Sequence, residues 1–248
     1  MRVVAIIQAR TGSTRLPGKV LKPLAGQTVL EHVIARVKAS GGLQEIIIAT
    51  TTHPDDDAIV ELARRCDVPC FRGSQDDVLA RYYLAAKQAK ADNIVRITSD
   101  CPLFDPELLS RMLQRFLSLR NAEPPVDYLS NSLVRSFPRG LDAEIFTFSA
   151  LEKAYLEARR PYEREHVTPY IYQHPEIFAL VNEECLEDLS AHRWTLDTKE
   201  DLELIERVYA ELHRKDVLFN MQDVLNLLNQ HPEWSLINAH IEQKKLGS

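Results

Sequence analysis

Val3-Val4-Ala5-Ile6-Ile7-Gln8-Ala9-Arg10-Thr11-Gly12-Ser13-Thr14-Arg15-Leu16-Pro17-Gly18-Lys19 decides how the rest of the chain is read. Val3–Gln8 is almost wholly apolar, as a strand covered on both faces should be. The loop after it places Arg10, Arg15 and Lys19 among Gly12, Gly18 and the hydroxyls of Thr11, Ser13 and Thr14. Glycine permits close backbone approach, arginine offers forked donors and lysine a mobile point charge. Together they suit a polyphosphate. The plainer alternative is a solvated loop whose cations pair with nearby acids. It is not a phosphate loop of the Walker type: five residues rather than four separate Gly12 from Gly18, and Val20 stands where a metal-binding Ser or Thr is needed.

Outward from this segment, strand-like and helix-like stretches alternate. Thr28-Val29-Leu30-Glu31 is a capping box opening a helix. Glu45–Thr50, Val68–Arg72 and Asn93–Thr98 read as strands, with helices from Asp55 to Arg65 and from Asp77 to Lys90. Asp105-Pro106-Glu107 is an N-cap, a first-turn proline and an early acid. The second half is less regular. Strands are expected at Leu141–Phe148, Ile177–Asn182 and Trp194–Leu196, with helices capped by a box at Ser149–Glu152, over Glu163–Gln173, after Thr198 and over Met221–Asn229. The expected fold is α/β, a mostly parallel Rossmann-like sheet with helices on both faces in one domain. Within it, about 1–120, about 121–190 and 191–248 are read as three successive parts, the last closing the domain. Ligands on such sheets bind beyond the carboxyl ends of the strands, so the loops after Gln8, Thr50 and Thr98 should share one crevice.

Bulk properties exclude other classes. With 248 residues, 27% charged residues and a net charge of −6, the chain has no basic run of the kind a nucleic-acid binder carries. No stretch approaches the ~18 apolar residues a membrane span needs. Cys66, Cys70, Cys101 and Cys185 lack paired ligand spacing. A reducing cytoplasm is the expected compartment, with neither nucleic acid nor membrane as partner.

The segment Ala9-Arg10-x-x-Ser13-x-Arg15-Leu16-Pro17-x-Lys19 resembles the nucleotide loop of the CMP-sugar-acid synthetases of the cytidylyltransferase superfamily, and in particular its spore-coat polysaccharide branch. Similar segments follow in order: Arg72-Gly73-Ser74, Thr98-Ser99-Asp100-Cys101-Pro102, Glu163-Arg164-Glu165-His166 and Leu196-Asp197-Thr198. The resemblance spans about residues 3 to 205. It implies the nucleotide-diphospho-sugar transferase fold, a homodimer, and transfer of CMP from CTP to an acidic sugar or small acid with loss of pyrophosphate. It also implies Mg²⁺ held by Asp100 and Asp197, which agrees with the habit of that ion of taking one or two carboxylates plus phosphate oxygens and waters. Either aspartate could instead cap a turn or helix.

On this reading Lys19, Arg15 and Asp100 are catalytic, and Arg10, Arg15 and Lys19 take the phosphates beside Ala9, Gly12 and Ser13. Thr51, Arg72, Ser74 and Asp76 would face the base, although Asp76 could equally cap the next helix. Arg139, Asp142, Glu144, Arg164 and His166 are the acceptor candidates, with Arg139 and His166 as the cations for an acidic group. The octulosonic enzymes of the family carry Gln where this chain has Thr98 and Glu where it has Cys101, which leaves the acceptor open. A glycosyltransferase of similar sheet architecture would present D-x-D where Thr98-Ser99-Asp100 has one acid. A non-catalytic nucleotide binder would not require both aspartates together with Lys19.

Overall fold

The computed structural model describes residues 1–215 and 217–243. Its strands are β1 Val3–Gln8, β2 Pro23–Leu24, β3 Gln27–Thr28, β4 Glu45–Thr51, β5 Cys70–Gly73, β6 Asn93–Thr98, β7 Tyr128–Ser130, β8 Glu144–Thr147 and β9 Leu180–Asn182. The helices are α1 Val29–Ala39, α2 Asp57–Arg65, α3 Val78–Gln88, α4 Pro106–Leu119, α5 Phe148–Glu157, α6 Pro161–His166, α7 Pro169–Tyr172, α8 Lys199–Leu212 and α9 Met221–Gln230.

β1 lies in the interior of a seven-stranded sheet ordered β5-β4-β1-β6-β8-β7-β9. The first four strands of that order run parallel, β8 is antiparallel to β6 and β7, and β9 is parallel to β7. The pleat of β1 shows why an unbroken apolar run is needed. Val3, Ala5 and Ile7 face a layer with α1, α2, α4, α8 and α9, while Val4 and Ile6 face α3, α5 and α7. Each side chain is removed from water on one face or the other, so no polar alternation survives.

Local chemistry sets the helix starts. Thr28 and Glu31 form the capping box reciprocally, and Asp105 accepts the N–H groups of Glu107 and Leu108 at 2.8 and 3.1 Å. Register then positions the site. Gln8 pairs with Ala49 on one side and Thr98 on the other, so the ends of β1, β4 and β6 open on the same edge. Among the described residues no helix is long and apolar enough to cross a membrane.

The less regular half departs from expectation. Trp194–Leu196 is not a strand. It bends at Thr195, donating a hydrogen bond to the Arg139 carbonyl from the Trp194 N–H (2.7 Å) and one to the Asp100 carbonyl from the Leu196 N–H (2.8 Å), without a continuous ladder. Helix α5 is capped by Thr147, which accepts the Ala150 N–H at 3.1 Å, and not by Ser149. The Glu163–Gln173 stretch is two helices, because Val167 adopts φ 74° and Pro169 cannot donate a backbone hydrogen bond. The strand predicted over Leu141–Phe148 is only β8, those over Val68–Arg72 and Ile177–Asn182 narrow to β5 and β9.

Candidate active site

The loop after β1 closes on one carbonyl. The N–H groups of Ser13 and Gly18 both donate to the Thr11 oxygen, at 2.9 and 3.0 Å, and Gly18 turns the chain at φ 65°. Ser13 Oγ accepts the Leu16 N–H, and Leu16 buries itself in the core beneath. Asp56 fastens the loop to the neighbouring turn, accepting from Thr11 N–H (2.8 Å), Thr11 Oγ1 (2.7 Å) and the Thr51 hydroxyl. Asp56 is the middle of the acidic string Asp55-Asp56-Asp57, which therefore serves as a brace and not as a D-x-D metal motif.

So held, the loop delivers its cations to the two aspartates. Lys19 Nζ donates to Asp100 Oδ2 at 2.6 Å and to Asp197 Oδ1 at 2.8 Å. Arg15 reaches Asp197 Oδ2 at 2.9 Å, and Arg193 shares that oxygen at 2.9 Å. Burial works against the charge on Lys19, yet the two carboxylates prevail and raise its pKa. Burial likewise opposes ionisation of Asp100, and Lys19 prevails, holding the carboxyl below its usual range. At neutral pH both are ionised. The adjacent Cys101 thiol is pushed well up by burial, so no nucleophilic thiolate stands here.

A cleft of about 780 Å³ opens over this cluster. Gln8, Arg10, Arg15, Thr98, Asp100 and Asp197 line it, and so do Arg139, Asp142, Glu144 and His166. The four acceptor candidates behave differently within it. Glu144 is saturated: one oxygen takes the Arg96 guanidinium, and the other takes the hydroxyls of Tyr128 (2.5 Å) and Thr168 (2.6 Å). Asp142 is clamped by Arg135 through two bonds of 2.6 and 2.9 Å. His166 is kept neutral, because burial and then the Arg96 and Arg10 charges outweigh Glu165 and Glu144 and lower its pKa. It can hydrogen-bond in the cleft but does not bring the positive charge expected of it. Arg139 does bring one. Among the described residues it has no carboxylate in ion-pair range.

Other predicted residues lie outside the cleft lining. Arg164 is turned away, pairing with Asp77 and donating to the Tyr155 carbonyl at 2.8 Å, so it ties α6 to α3 and α5 instead of meeting an acceptor. Ala9 is buried and bonds its N–H to the Ala49 carbonyl, whereas Gly12 is exposed with open space above its Cα. Thr51 spends its hydroxyl on Asp56. Arg72 spans the Thr51 carbonyl (2.9 Å), the His53 carbonyl (3.0 Å) and Asp57 (2.7 Å). Ser74 accepts the Asp77 N–H at 3.1 Å. Asp77, not Asp76, caps α3, and Asp76 is exposed.

Three contributors went unread in the sequence. Arg96 lines the cleft from mid-strand, opposite Glu144 in register. A cation inside Asn-Ile-Val-Arg-Ile-Thr was its one available signal. Arg135 and Arg193 gave none, since their partners become visible only once the chain has folded.

Comparison with known proteins fits this geometry. The family model described as Cytidylyltransferase matches residues 4–225. The spore coat polysaccharide biosynthesis protein SpsF of Bacillus subtilis is 34% identical, over 93% of this chain and 95% of its own length. A protein of Methanocaldococcus jannaschii is 42% identical, over 98% of this chain and 97% of its own. The structure of a cytidylyltransferase from Leptospira borgpetersenii superposes with a TM-score of 0.90 at 37% identity, covering 99% of this chain and 100% of that one. The loop of cations, the paired aspartates beneath it and these likenesses together place the chain in the cytidylyltransferase family, as a CTP-dependent nucleotidyltransferase.

Proposed function

We propose that this enzyme transfers CMP from CTP to an acidic sugar or related small acid, for the assembly of a surface polysaccharide. One observation carries the chemistry: Lys19 Nζ stands between Asp100 and Asp197, with Arg15 on the same aspartate. Two carboxylates turned to one point form a hard-oxygen pair that suits Mg²⁺, which completes its shell with phosphate oxygens and waters. Among the described residues no three acidic, His or Cys side chains converge, so the chain offers an open pair and not a closed cage. Asp100 and Asp197 would hold the ion, which when bound offsets charge on the phosphates.

The chain's own residues do the rest. Arg10, Arg15 and Lys19 take the triphosphate, for which Lys19 and Arg15 must leave the aspartates. An acceptor hydroxyl oxygen then bonds the α-phosphorus, its proton is released to water, and the bridging oxygen departs with pyrophosphate. Lys19 stabilises the leaving charge. Positioning and charge neutralisation supply most of the acceleration in such reactions. The exposed base of the triphosphate would meet the turns bearing Thr51, Arg72, Ser74 and Asp76, chiefly through backbone groups, since these side chains except Asp76 are engaged.

For the acceptor, Arg139 supplies a cation that has no ion-pair partner among the described residues, and His166 a neutral hydrogen-bonding group. The surface-polysaccharide role draws on the name of the B. subtilis relative. A homodimer through about residues 121–190 is supported by Val134 and Leu186, large apolar side chains left exposed there. A cytoplasmic site of action follows from the use of CTP. The test is a pyrophosphate-release screen of four nucleoside triphosphates against sugar acids and phosphorylated small acids, with and without Mg²⁺. CTP with an acidic acceptor should stand apart. Equal release with ATP, or release only with neutral acceptors, would overturn the reading.

A further inference from the structure

Arg193 is locked where Arg15 is loose. Its Nε and Nη2 donate to the two oxygens of Asp201 at 2.8 and 3.0 Å, and the same Nη2 reaches Asp197 Oδ2 at 2.9 Å. Asp201 is wholly buried and is itself fixed by the N–H groups of Asp197 (2.9 Å) and Thr198 (3.0 Å). Asn238 joins from behind, giving Nδ2 to Asp201 and to the Arg193 carbonyl, both at 2.9 Å. The Arg193 side chain is 6% exposed, against 29% for Arg15, which makes its one ion pair from the cleft side.

We propose that Arg193 is a positioning residue for Asp197: anchored on Asp201, it grips Oδ2 and keeps Oδ1 turned toward Asp100. The inference rests on the reading of Asp100 and Asp197 as the pair that holds the ion. Among the described residues three cations crowd Asp197, and two of them come from the loop after β1. When the triphosphate draws Lys19 and Arg15 away, Arg193 remains to fix the carboxylate. The planar fork takes both oxygens of Asp201 while Nη2 still reaches Asp197, a bidentate geometry that the point charge of an ammonium does not reproduce. Partners that orient a metal ligand typically account for 10–100-fold in metal affinity or activity.

The test compares CTP binding by calorimetry in chelator and in Mn²⁺, so that the gain due to the metal is read apart from turnover. Arg193→Lys keeps the charge opposite Asp201 and loses the fork. Its metal-dependent gain should fall ~10–100-fold, while CTP affinity in chelator stays at the wild-type value. A merely structural role would lower the melting temperature and leave the metal gain intact, and that result overturns the proposal. Should Arg193→Lys fail to fold, the double variant Arg193→Gln, Asp201→Asn removes both buried charges together and carries the same expectation. If the wild-type protein itself gains nothing from Mn²⁺, the metal reading of the two aspartates falls, and this inference with it.

Discussion

Lys19 and Asp197, 178 positions apart in the chain, meet at 2.8 Å between Nζ and Oδ1. The same ammonium is 2.6 Å from Asp100, so the protein's own cation stands between the two carboxylates. Divalent ion alone should therefore leave the melting temperature unchanged, because Lys19 and Arg15 already satisfy the aspartates. Mg²⁺ with CTP at about 100 times its dissociation constant should stabilise by ~2.7 kcal/mol, and chelation should stop pyrophosphate release. A shift with Mg²⁺ alone equal to that with both would refute the exchange.

Replacing Lys19 with Ala, or Asp100 with Ala, removes a charge-assisted contact of ~1.5–3 kcal/mol, equivalent to ~10–150-fold in rate if it is made in the transition state. Pyrophosphate release should fall by at least that factor while circular dichroism shows a folded chain. Wild-type turnover in both variants would end the assignment.

Arg139→Ala should raise the KM for the acidic acceptor ~10–150-fold and leave the KM for CTP in place, since one charged hydrogen bond is removed and no ion pair among the described residues is broken. Steady-state kinetics with each substrate varied in turn decide it. An equal rise in both constants would remove Arg139 from the acceptor's side.

Gly140 has φ 102°, and a Cβ there would lie 2.6 Å from the Trp194 carbonyl carbon. Trp194 begins the segment that carries Asp197, so overpacking at this point displaces a proposed ion ligand. Gly140→Ala should cost on the order of 3 kcal/mol, combining the left-handed backbone penalty with the clash. Chemical denaturation measures it, and a loss near zero would show that the segment can yield.

Asp56 links acid sensitivity to the cation-rich loop after β1. Burial opposes its charge, but hydrogen bonds from Thr51 and Thr11 win and lower its pKa in the folded state. A depressed carboxyl contributes stability that is complete above the unfolded value of ~3.9 and is lost as pH falls through the folded one. Asp56→Asn should thus destabilise by ~1–3 kcal/mol at neutral pH and flatten the decline of melting temperature below about pH 4. An unchanged acid limb of the pH–stability curve would argue against the brace.

The sequence by itself determined the parts whose physics is local. An apolar run marks β1 because both faces of a central strand are buried, and Thr28, Asp105 and Thr198 mark helix starts because a side chain within a few residues answers the free N–H groups. The cation-rich loop Ala9–Lys19 was legible for the same reason, since its charges, glycines and hydroxyls are neighbours in the chain. Tertiary structure decided the rest. Nothing local told Asp77 from Asp76 as the cap of α3, left Trp194–Leu196 without a ladder, or turned Arg164 toward Asp77. Whether a charge serves ligand or scaffold depends on which opposite charge the fold brings within 3 Å. Arg96 found Glu144, Arg135 found Asp142 and Arg193 found Asp201, whereas Arg139 found none among the described residues.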